Sequence, residues 1–113
     1  MGSEAARPSN KPRDPAIHQR AEKIKGKLDE IILKIKKEAS FTPTRDDIEQ
    51  YAVEINDLIM KNHDKVRPFE SYLKAAIIDL TEVPEMHPKM QRISFMAALT
   101  DASQKLQLFL DCC

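Results

Sequence analysis

Apolar residues recur at helical spacing in four separate stretches of this chain, and each stretch opens on a helix-starting signal. No other feature limits the fold as strongly. Ile17, Ala21, Ile24, Leu28, Ile31 and Ile35 lie 4, 3, 4, 3 and 4 residues apart, with Ile32 widening the stripe. That spacing keeps one face of a helix apolar over several turns. It predicts a first helix over about 15–39. Asp14 is placed to accept hydrogen bonds from the free amides, and Pro15 fits a first turn whose N–H has no partner to lose. Gly26 falls on the outer face, where it costs about 1 kcal/mol relative to Ala. Packing must therefore hold this helix together.

Ser40-Phe41-Thr42-Pro43 ends the first helix, and Thr44 starts the second, expected to reach about Asn62. Thr44-Arg45-Asp46-Asp47 is close to a capping box, with Asp where Glu is usual. Ile48, Tyr51, Ala52, Ile55, Leu58 and Ile59 form its inner stripe. A third helix is expected over about 68–82, opened by Pro68 and stopped by Val83-Pro84, since the residue before proline avoids helical angles. Phe69, Tyr72, Leu73, Ala76, Ile77 and Leu80 face inward there. Pro88 opens a fourth helix running to about 111. Phe95, Leu99, Ala102, Leu106 and Phe109 form its seam, which Ile93, Met96 and Leu110 broaden.

Joints of about 4–6 residues favour antiparallel neighbours. The expected fold is all-α: a four-helix up-down-up-down bundle over residues 14–113. Two HEAT-like helical hairpins are the alternative. Residues 1–13, rich in Pro and Ser and without apolar pattern, read as a disordered tail or an expression remnant.

The sequence excludes several chemistries. With two glycines in the whole chain, neither a P-loop nor a dinucleotide-binding fingerprint can exist. His18, His63 and His87 lie in different segments, none at helical spacing from another His or Cys, and no metal or cofactor is expected. The hydroxyl residues Ser40, Thr42 and Thr44 sit where backbone capping explains them. Ser71, Ser94 and Ser103 have no histidine nearby in sequence, so the chain reads as non-enzymatic. Cys112 and Cys113 are the only cysteines and cannot staple a core, which suits a reduced, intracellular protein, cytoplasmic or nuclear. A terminal Cys-Cys also resembles the doubly prenylated end of Rab-type GTPases, but no GTPase motif accompanies it. No run of 18 apolar residues exists, so no membrane span is expected.

Two surface features remain. Net charge is zero, yet residues 1–39 are basic by four charges and the remainder acidic by four. Arg20, Lys23, Lys27, Lys34 and Lys37 flank the first helix's apolar stripe, interrupted by Glu30. They could contact phosphates of nucleic acid or an anionic membrane. The sequence pI near 6.8 is low for a dedicated nucleic-acid binder. The competing reading pairs this stripe with Asp46, Asp47, Glu49, Glu54 and Asp57 of the second helix. Separately, Leu33 lies outside the first helix's stripe, and Met86 and Met90 bracket the joint before the fourth. An adaptable methionine-bearing patch can receive a partner's helix or linear segment, and homodimerisation through the first helix is a variant of the same idea. The leading expectation is a protein–protein interaction module, an adaptor or scaffold, with phosphate contact as its alternative.

Overall fold

The computed structural model describes residues 14–83 and 87–112. The described chain is all-α. Four long helices carry it: α1 (Pro15–Lys37), α2 (Arg45–Lys61), α4 (Glu70–Thr81) and α5 (Pro88–Cys112). A four-residue helix, α3 (His63–Val66), and a 3₁₀ turn (Arg67–Phe69) join α2 to α4. The expectation of a disordered tail at residues 1–13 lies outside the described residues.

The local signals act as their chemistry dictates. The Asp14 carboxylate accepts from the amides of Ala16 and Ile17 at 3.1 and 3.3 Å, ahead of Pro15 in the first turn. Thr44 Oγ1 accepts from the Asp47 amide while the Asp47 carboxylate accepts from the Thr44 amide, a complete capping box. Asn62 closes α2 through its backbone N–H and donates its side-chain amide to the Leu58 carbonyl at 3.0 Å. Two boundaries differ from expectation. Phe41 N–H closes on the Glu38 carbonyl at 3.0 Å, so α1 stops at Lys37 and residues 38–41 form a turn. Pro68 does not open the third long helix. It sits in the 3₁₀ turn, and the joint expected as a loop is helical because Val66 buries itself in the core.

α1 packs on α2 and α5, and α4 packs on α2 and α5, which closes a ring. Side-chain contacts fix the directions. Arg20 in early α1 meets Asp57 in late α2 at 3.4 Å. Arg45 at the start of α2 donates to the Val83 carbonyl just beyond α4. The Phe69 and Phe109 rings meet edge to face, 6.3 Å apart, placing the start of α4 against the end of α5. Arg92 in early α5 reaches the carbonyl of Ile35 in late α1. Successive long helices thus run in opposite senses, a path compatible with an up-down-up-down bundle. Stacked HEAT-like hairpins would instead set α1 on α4 and α2 on α5.

The core follows the stripes. Leu28, Ile48, Ile55, Leu58, Leu73, Leu80, Phe95, Leu99, Leu106 and Phe109 are fully enclosed. One polar side chain joins them: Ser103 is buried and donates to Asp29 at 2.5 Å, while Lys25 holds the other Asp29 oxygen at 2.8 Å. A buried hydroxyl so partnered avoids the desolvation penalty and fixes the register of α5 on α1.

Candidate interaction surface

α5 is apolar on two faces. Its inner seam fills the core. Its outer face presents Met90, Ile93, Ala97, Thr100, Gln104 and Leu108, of which Ile93 is 62% exposed, Met90 53% and Leu108 44%. None of these six side chains carries a charge. Ile93 is a correction: expected to broaden the core stripe, it points outward, because it lies well over a quarter-turn from the Phe95–Leu99 direction once the helix is drawn at 3.6 residues per turn. Met96 and Leu110, expected beside it, do pack against the core.

A groove of about 650 Å³ runs along this face between α5 and the end of α1. Arg92, Ile93, Met96, Ala97, Thr100, Asp101 and Gln104 line it from α5, and Ile35 and Lys36 line it from α1. Arg92 fixes its geometry. The guanidinium donates to the Phe41 carbonyl at 3.0 Å, to the Glu38 carbonyl at 3.3 Å and to the Ile35 carbonyl. The Ile35 carbonyl has no intrahelical donor because α1 ends at Lys37, and the other two belong to the turn beyond it. A cation placed on them also complements the negative end of the helix dipole. The α1 terminus, the 38–41 turn and the start of α5 are held as one unit.

On the opposite flank of α5 lies a second recess of about 350 Å³, lined by Ile78, Asp79, Glu82, Val83, Ser94, Ala97 and Ala98. Below it, Lys105 bridges two carboxylates, 2.9 Å from Asp101 and 3.6 Å from Asp79. Burial pushes the Asp79 carboxyl up to about 6, with Asp101 adding to the rise and Lys105 opposing it. Lys105 holds the Asp101 carboxyl below the usual range.

The residues expected to bind partners scatter. Arg20 is taken up by Asp57, whose carboxyl is held low by Lys61 and then by Arg20. Lys34 lies over the Phe41 ring, 4.6 Å from its centre, a cation–π contact that braces the turn. Lys23, Lys27 and Lys37 are exposed and appear in none of the ion pairs among the described residues. The proposed pairing with α2 is mostly absent. Among the ion pairs of the described residues only Asp57 reaches α1; Asp47 caps its own helix and Glu49 turns to Arg45 at 3.8 Å. Leu33 is half exposed on α1 and does not line the groove. Met90 belongs to the α5 outer face, and Met86 lies outside the described residues.

Comparison with known proteins gave no match to a family model, a curated protein or a solved structure. Among the described residues, no three His, Cys, Asp or Glu side chains converge as metal ligands. No described helix is long and apolar enough to cross a membrane.

Proposed function

We propose that this chain is a non-enzymatic protein-interaction module that docks a partner's helix along the outer face of α5 and the adjoining groove on α1. The supporting observation is a row of uncharged side chains, three of them large and apolar, left in solvent at helical spacing. Scattered exposed apolar residues are ordinary; a row beside a groove is the pattern of a docking face. The anchored Arg92 gives the groove a fixed shape before binding, which lowers the ordering cost of association. Comparative pulldown tests this. Proteins held by the wild type and by Lys27→Glu, but lost with Ile93→Lys, support the reading. Identical capture by all three forms counts against it.

A second reading has its own observation. Lys23, Lys27 and Lys37 are exposed and have no carboxylate partner among the described residues, so phosphates of nucleic acid or anionic lipid could neutralise them. Such binding must weaken steeply with salt. Absence of binding to duplex, single strand and anionic vesicles at low salt would remove it.

A further inference from the structure

We infer that the occupant of the α5 outer face is a second copy of this chain, lying parallel about a twofold axis that runs along α5. The inference rests on the interaction reading above and names the partner. Met90, Ile93, Ala97, Thr100, Gln104 and Leu108 follow one another at intervals of 3, 4, 3, 4 and 4 residues. That near-heptad spacing suits a seam between two helices crossing at a shallow angle. Ala97 and Thr100 are small and central, so two backbones can approach closely there. The six side chains of the row carry no charge, and Asp101, which flanks them in the groove, is held by Lys105 at 2.9 Å.

The flanks decide the partner and its direction. Ala97 lines both recesses beside α5. One recess carries Lys36 from α1, and the other carries Glu82 from beyond α4. Both side chains are exposed, and neither takes part in an ion pair among the described residues. A cation therefore stands on one side of Ala97 and a carboxylate on the other, at about the same height along α5. A twofold axis along the helix turns the left flank of one protomer onto the right flank of the other without changing height. Lys36 then faces Glu82 of the copy, twice. An antiparallel pair would place like flank on like flank. A surface that complements itself under one rotation fits an isologous interface.

Mass should be followed by light scattering across a wide concentration range, with circular dichroism confirming that each variant keeps its helix content. Wild type should rise from monomer to dimer. Lys36→Glu and Glu82→Lys should each raise the dissociation constant about tenfold, as two attractive contacts become repulsive. The double variant should recover the wild-type constant, because the charges face again with signs exchanged. Ala97→Cys, in a chain with Cys112→Ser and Cys113→Ser, should form a disulfide dimer on oxidation, since a parallel axis brings the two positions together. A monomer at all concentrations, or a dimer indifferent to both charge reversals, overturns the inference. Alkylation of the Ala97→Cys thiol separates it from the underlying reading. A monomeric chain whose thiol is protected in lysate but reactive when purified has another protein on this face, so the second copy falls and the docking face stands. A thiol equally reactive in both removes the two together.

Discussion

Replacing Arg92 with Ala should destabilise the bundle by about 2–3 kcal/mol. The partly buried carbonyls of Ile35 and Phe41 lose the guanidinium, while the exposed Glu38 carbonyl keeps the Phe41 amide. A hydrogen bond from a charged donor is worth about 1.5–3 kcal/mol when its acceptor cannot turn to water. Water can reach the Glu38 carbonyl and part of the others, so the full sum of three is not expected. Loss of the cation at the α1 C-terminus adds about 0.3–1 kcal/mol. Urea unfolding followed by far-ultraviolet circular dichroism reads this out. With a slope of about 1.5–2 kcal/mol/M for a chain of this size, the midpoint should fall by about 1–2 M. It should be measured at one low protein concentration, because self-association would add its own stability. Arg92→Lys should recover less than half of the loss, since one ammonium cannot span three carbonyls as a planar guanidinium does. A loss below about 0.5 kcal/mol, or full recovery by lysine, would refute the claim that this side chain ties the α1 terminus to α5.

Two further outcomes follow from single residues. The Asp79 carboxyl is raised, so its contribution to stability is fully present below the ordinary value of 3.8 and is lost as pH rises through about 6. Asp79→Asn should flatten stability against pH across that window and raise it near neutrality by roughly 1 kcal/mol, with Asp101 still holding Lys105; an unchanged slope between pH 4 and 6 would contradict this. Gly26→Ala should raise stability by about 0.5–1 kcal/mol, because nothing lies within 4 Å of the added carbon and alanine loses less backbone freedom in a helix; a lower thermal midpoint would mean a contact that the structure does not show.

The interior was readable because heptad spacing and caps report directly on it. Every seam residue of α5 from Phe95 to Phe109 is buried, and Asp14 and Thr44 cap their helices as their positions imply. The surface was less readable. Ile93 lies two residues before Phe95 in an apolar run, and composition alone cannot tell a widened core stripe from a second apolar face. Counting polar residues around the helix would have separated them, since Ile93 shares its face with Thr100, Asp101 and Gln104, which a core stripe would not carry. The basic stripe misled in another way. Long side chains choose partners by reach, so Lys34 found the Phe41 ring and Arg20 found Asp57, while Asp47 capped its own helix and Glu49 turned to Arg45.

The ring of helices closes between α1 and α5, the two long helices farthest apart in sequence. During synthesis α1 leaves the ribosome with its apolar stripe half covered by α2 and must wait for α5, some fifty residues later. Joining such distant segments is slow compared with forming either helix. The stripe from Ile17 to Ile35 is thus open to chaperones, or to misplaced contacts with other nascent chains, until Ser103 finds Asp29 and Arg92 closes over the waiting carbonyls.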